Sequence, residues 1–134
     1  MKRFFLLTLA SAALLGASAA PVKTYEVKSP DGRLALVLTA GERLSFTVAR
    51  DGETLVAPSE MALTLSTGEV LGESPRVRSA RRRAVNETID APLYRQSRFD
   101  AAYNELDLRL RGDYGVLARA YDDGVCYRFY TERD

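Results

Sequence analysis

Alternation with a period of two runs through most of the chain after its first twenty residues. Leu34, Leu36 and Leu38 fall on one face of a strand, with Ala35 and Val37 on the other. Apolar residues on both faces mark a strand covered from both sides. Leu44, Phe46 and Val48 alternate with Ser45, Thr47 and Ala49, and Asp51-Gly52 stands between them and Thr54, Leu55 and Val56. Two such runs around Asp-Gly form a β-hairpin, because the tight turn needs positive φ at its central residues. Pro30-Asp31-Gly32 is a second turn, between Tyr25-Glu26-Val27 and the Leu34 strand. Met61, Leu63 and Leu65 make a further alternating run before Thr67-Gly68.

The same rhythm returns downstream. Leu106, Leu108 and Leu110 alternate with Asp107 and Arg109, so that strand turns a polar face to solvent or to another domain. A turn over residues 112–115 closes it. Strands over 116–121 and 125–131 then flank the turn Asp122-Asp123-Gly124. The last strand is rich in Tyr and Phe on both faces, which predicts a place inside a sheet with neighbours on either side. Only Glu132-Arg133-Asp134 follow it, and the expectation is a sequence that ends inside a larger domain.

No window of helical length carries an apolar period of 3.6. About eight or nine short strands at these turn spacings predict an all-β fold, an antiparallel β-sandwich. Residues 74–97 break the pattern: they are polar, contain Pro75 and Pro92, and carry Arg76, Arg78, Arg81, Arg82 and Arg83. They predict a solvated strand or a long loop.

The first twenty residues are of another kind. Lys2 and Arg3 precede an apolar run from Phe4 to Leu15, and Gly16, Ala17, Ser18, Ala19 and Ala20 follow. Charge, apolar core and small-residue site in that order form a secretory signal peptide. The core is shorter than the roughly 20 residues of a membrane-spanning helix. Residues 1–19 are therefore the leader and 20–134 the mature domain, exported to the periplasm or secreted.

Composition sharpens the picture by exclusion. The 134 residues include 19 basic and 18 acidic side chains, and loss of Lys2 and Arg3 with the leader brings the balance to one net negative charge. A near-neutral chain gives no electrostatic reason to bind nucleic acid or an anionic membrane, so the arginine run reads as a solvated strand or loop with acidic partners elsewhere on the surface. Cys126 is the single cysteine, which rules out an internal disulfide; its neighbours Val125 and Tyr127 suggest a buried small hydrophobe. The chain has no histidine. Ser-His-Asp and Cys-His catalysis, His-ligated zinc and histidine acid-base chemistry are all excluded.

Three stretches, taken in order, carry a family resemblance. They are Ser29-Pro30-Asp31-Gly32-Arg33-Leu34, then Asp51-Gly52-Glu53-Thr54-Leu55-Val56-Ala57-Pro58-Ser59, then Tyr103-Asn104-Glu105-Leu106 with residues 119–129, which read Arg-Ala-Tyr-Asp-Asp-Gly-Val-Cys-Tyr-Arg-Phe. Together they resemble the N-terminal domain of glycoside hydrolase family 97, across essentially the whole mature chain. The resemblance implies part of a β-super-sandwich of the galactose-mutarotase-like kind, packed on a (β/α)8 barrel. It further implies an exo-acting α-glucosidase or α-galactosidase at full length, with an active-site calcium ion. The catalytic carboxylates of that family lie in the barrel, and its N-terminal calcium-ligating glutamate lies downstream of the Arg-Phe-Tyr strand. No residue of this chain inherits a catalytic or metal role. The chain also lacks tryptophan, the commonest sugar-stacking platform.

Within the chain, Glu105 and Asp107 sit at i and i+2 and share a strand face, while Asp122 and Asp123 are adjacent in a turn. Glycoside hydrolysis needs two carboxylates flanking one bond. Asp-Asp-Gly is also what a tight turn requires, and Asp107 is the polar half of an alternating strand, so no catalytic residue is assigned. Asn104 and Glu105, on opposite strand faces beside Tyr103, are the candidate binding residues, as interface or sugar-side contacts. Two function classes follow. The first is a non-catalytic domain that docks on an α-glycosidase barrel and meets carbohydrate only through the whole enzyme. The alternative is a stand-alone exported carbohydrate-binding or adhesion module.

Overall fold

The computed structural model describes residues 21–133 apart from Tyr94 and Gln96. The expected leader, residues 1–19, lies outside the described residues. Ten strands follow one another without a helix among the described residues: β1 (Lys23–Lys28), β2 (Leu34–Ala40), β3 (Leu44–Arg50), β4 (Glu53–Glu60), β5 (Leu63–Thr64), β6 (Val70–Leu71), β7 (Val77–Asp90), β8 (Arg98–Leu110), β9 (Tyr114–Ala120) and β10 (Val125–Thr131). β1-β2-β3-β4 form one antiparallel sheet and β10-β9-β8-β7 the other, both plain meanders; β5 and β6 make a small hairpin at one end.

The turns set the registers. Asp51 (φ 51°) and Gly52 (φ 85°) close the β3–β4 hairpin with two positive φ angles, the arrangement Asp-Gly favours. At the Pro30 turn, the Ser29 carbonyl accepts the Gly32 amide, and the Ser29 hydroxyl accepts the Leu34 amide. The core lies between the sheets. Leu36, Leu38 and Leu44 from the first meet Leu106, Leu108, Leu110 and Val116 from the second, all fully buried. Ala118 and Ala120 supply the small positions that let β9 approach β2. Gly72 closes one end: a Cβ there would stand 2.3 Å from the Met61 carbonyl oxygen, and its amide donates to the Tyr114 hydroxyl at 3.2 Å.

The structure refines several expectations. The alternating run at Met61 holds only the two-residue β5. Met61 is buried and Leu63 exposed, because the chain leaves the β4 edge there to cap the sandwich. Within the polar segment 74–97, Val77–Asp90 form the long, largely exposed strand β7 paired with β8, the solvated strand of the two expected forms. β10 is an edge strand bonded to β9 alone among the described residues. Cys126 is exposed rather than buried: its position opposite Arg119 puts it on the outer face of the sheet, away from the core. Leu34, Leu36 and Leu38 are buried as expected, whereas Ala35 and Val37 opposite are half-covered.

Candidate interaction site around Asn104 and Glu105

β8 pairs with β9 only as far as Asn104 opposite Ala120, while its pairing with β7 continues to Arg98 opposite Asp90. Asn104 and Glu105 therefore sit where a four-stranded sheet narrows to a two-stranded ribbon. Strand alternation sends their side chains to opposite faces. Asn104 faces the first sheet, where its amide donates to the Lys28 carbonyl at 2.8 Å. Beside it, Arg82 Nε donates to the Glu26 carbonyl at 3.0 Å. These two side chains satisfy carbonyls on the open edge of β1 and tie the sheets together.

Glu105 is on the outer face, and its side chain is only 4% exposed. Cross-strand register places Arg83 on one side of it and Arg119 on the other. Arg83 Nε donates to Oε1 at 2.5 Å and Arg119 Nε to Oε2 at 2.7 Å. Burial pushes the Glu105 carboxyl up, but the two guanidinium hydrogen bonds and charges outweigh it and hold the group below the usual glutamate value. The Arg119 guanidinium lies 4.5 Å above the centroid of the Tyr103 ring, which packs 4.9 Å from the Tyr121 ring. The Tyr103 hydroxyl donates to Glu87 at 3.1 Å. Tyr103, Glu105 and Arg119 thus form one braced unit.

Asp107 shares the outer face with Glu105 but not its surroundings. It accepts a hydrogen bond from the Tyr130 hydroxyl and lies 3.5 Å from Arg109 Nε. Burial and the Asp107 carboxylate push the Tyr130 hydroxyl up to about 12. Tyr130 lies flat over Gly115, where a Cβ would come within 2.5 Å of the ring. At the far turn, Asp122 accepts the Asp31 amide at 2.9 Å and links the two sheets. Among the described residues no group of three His, Cys, Asp or Glu side chains comes together to hold a metal ion. Three members of the arginine run have structural partners: Arg82 the Glu26 carbonyl, Arg83 the Glu105 carboxylate, and Arg78 the Asp113 carboxylate at 3.3 Å. Arg83 and Arg119 were not among the site residues expected from the sequence. Arg119 was within reach, since a hairpin closed at residues 111–113 puts position 119 opposite 105; the Arg83 register depends on where the β7–β8 connection turns, for which the sequence around Pro92 gives no tight-turn signal.

The chain as a whole has relatives. Residues 27–133 match the family described as Glycosyl-hydrolase 97 N-terminal. A retaining alpha-galactosidase of Bacteroides thetaiotaomicron is 38% identical over 110 residues, which are 82% of this chain and 17% of that enzyme. A glycoside hydrolase family 97 enzyme of Pseudoalteromonas sp. strain K8, solved with panose and with acarbose, superposes with a TM-score of 0.74 at 18% identity, over 82% of this chain and 18% of that one. A beta-arabinopyranosidase superposes with a TM-score of 0.73 at 19% identity and the same coverage. The chain thus spans less than a fifth of the enzymes it matches. The sandwich, its turns and the Tyr103–Glu105 strand belong to the part those enzymes place first, and the chain is a member of the glycosyl-hydrolase 97 N-terminal domain family.

Proposed function

We propose that this chain is the non-catalytic front of an exported α-glycosidase, folded to dock on a (β/α)8 barrel and to support it. The observation that carries the reading is the occupation of its carboxylates. Glu105 is clamped by two arginines, Asp107 is held by Tyr130, and Asp122 caps a turn. A general acid must carry a proton near neutral pH and a nucleophile must face open space. Glu105, ionised and covered, meets neither need.

The surfaces offered for docking are the free end of the β7–β8 ribbon and the edge of β10. On the ribbon, Ile89 and Phe99 form a cross-strand pair that is 46% and 41% exposed. A two-stranded ribbon is marginal in water and gains stability when a partner covers it. Asn104 and Glu105, at its base, would fix its angle to the sandwich rather than touch sugar. Carbohydrate of the α-galactoside or α-glucoside class would then be bound by the whole enzyme, and the calcium ion the family implies would sit with the residues of its active site. The purified chain is expected to hydrolyse neither α-galactosides nor α-glucosides, with or without calcium. Turnover that disappears in Glu105→Ala or Asp123→Ala would overturn the proposal.

Export is part of the same reading and rests on the order of charge, apolar core and small residues in 1–20. The mature protein is expected to begin at Ala20, which N-terminal sequencing of the expressed protein checks. Met1 retained on soluble cytoplasmic protein would contradict it.

A further inference from the structure

The outer face of the second sheet carries a feature that docking through the ribbon does not use. One cross-strand row reads Arg128, Leu117, Asp107, Arg81 from β10 to β7, and the next reads Cys126, Arg119, Glu105, Arg83. The first row and Arg119, Glu105 and Arg83 of the second, together with Arg82, line a depression of about 460 Å³. Arginines stand along both of its sides, half-covered Leu117 lies in the floor, and the carboxylates of Glu105 and Asp107 lie between. Arg81 and Arg128 form no salt bridge among the described residues. Arg83 holds Glu105 through Nε, and its side chain remains 63% exposed, so its terminal Nη fork faces solvent.

We propose that this depression is a binding subsite for a carboxylated sugar unit, a hexuronate within an oligosaccharide. Each part of the ligand has its complement. A carboxylate takes two parallel hydrogen bonds from a guanidinium fork, and Arg81 and Arg128 are the unpaired forks. The apolar C–H face of a pyranose ring matches Leu117. Ring hydroxyls donate to Asp107 Oδ2, which faces Arg109 Nε at 3.5 Å while Oδ1 takes the bond from Tyr130. A bare phosphate fits less well, since it has no apolar face to lay on Leu117. Glu105 and Tyr103 hold Arg119 in place, so part of the arginine wall is ordered before the ligand arrives. The inference stands on this face alone and does not depend on the docking reading.

The test is calorimetric titration of the full chain with galacturonate and its disaccharide at low salt, with amide chemical-shift mapping. Galactose, acetate and inorganic phosphate serve as comparison ligands. Saturable binding of the uronate is expected, with shifts centred on Leu117 and Arg119. Arg81→Gln and Arg128→Gln should each weaken it about tenfold or more, as loss of a charge-assisted pair does. Arg128→Lys should recover little, because a lysine cannot supply the fork. Both arginines are exposed, so circular dichroism should be unchanged; Leu117→Glu gives a second route, placing a like charge under the carboxylate. No binding overturns the proposal. So does equal affinity for acetate or phosphate, and so does uronate binding that survives all the substitutions.

Discussion

Glu105 shows how much one residue's meaning depends on its neighbours across the strand. Its desolvation is offset only because two guanidinium groups reach it, so Glu105→Ala leaves Arg119 lying on Tyr103 without its acceptor. The loss should be about 1–3 kcal/mol, measured by urea unfolding at neutral pH. The acid limb separates charge from packing. The Glu105 carboxyl is held low in the folded state, so its stabilisation is complete above the unfolded glutamate value of about 4.3 and is lost as pH falls through the folded value. Wild type should lose stability on going from about pH 5 to about pH 3, and Glu105→Gln should lose less over that window. Tyr130 has the opposite sign. Its hydroxyl is raised to about 12, so its contribution is intact below the unfolded tyrosine value of about 10 and fades as pH climbs to the folded one. Tyr130→Phe should flatten the alkaline limb between those values. Gly115→Ala should act on the same bond from beneath by lifting the ring off Asp107. The expected cost is about 1–3 kcal/mol, the range for an overpacked site.

Among the elements, the hairpins with Asp-Gly turns were legible because the turn chemistry and the alternation agree on one register. The β7–β8 pair was not. Its loop contains Pro92 and no tight-turn signal, and the arginines of β7 hide its alternation because both faces are largely open. β10 is the strand whose aromatic faces called for neighbours, and among the described residues it has one, β9. Aromatic residues on both faces suggested flanking strands, but Tyr130 lies over Gly115 on one face while Val125 and Phe129 are half-covered on the other. Tyr127, on the core side, is 41% exposed and packs against Phe46, at 5.2 Å between ring centroids. A large apolar side chain left open forfeits roughly 1.5–3 kcal/mol of burial. An unpaired aromatic edge is also a template for another strand. The chain by itself should self-associate through β10, seen as a mass that rises with concentration in light scattering, and Tyr127→Lys should return it to monomer. A wild-type chain that stays monomeric and unfolds sharply at high temperature would favour the self-contained module over the docking domain.

For the molecule as a whole, the all-β class followed from the sequence because period-two alternation and turn residues are local properties, set by strand pleat and by φ. The motifs from Ser29 to Leu34, from Asp51 to Ser59 and from Tyr103 to Phe129 also carried the family, since they specify turns and strand faces that the fold repeats. The exclusion of histidine chemistry needed nothing more than the composition. What only the tertiary structure decided is pairing across distance. Asn104 is far in sequence from the Lys28 carbonyl it reaches, and Glu105 from Arg83, and neither contact has a local signature. The arginines of residues 76–83 look like one basic run along the chain. Strand alternation deals them to two faces, so that Arg82 ties down the edge of β1 while Arg81 and Arg83 help wall the outer depression. Sequence fixes the order of side chains along a strand, but their partners are set by register and by how two sheets stack, and those depend on the packing of the whole core.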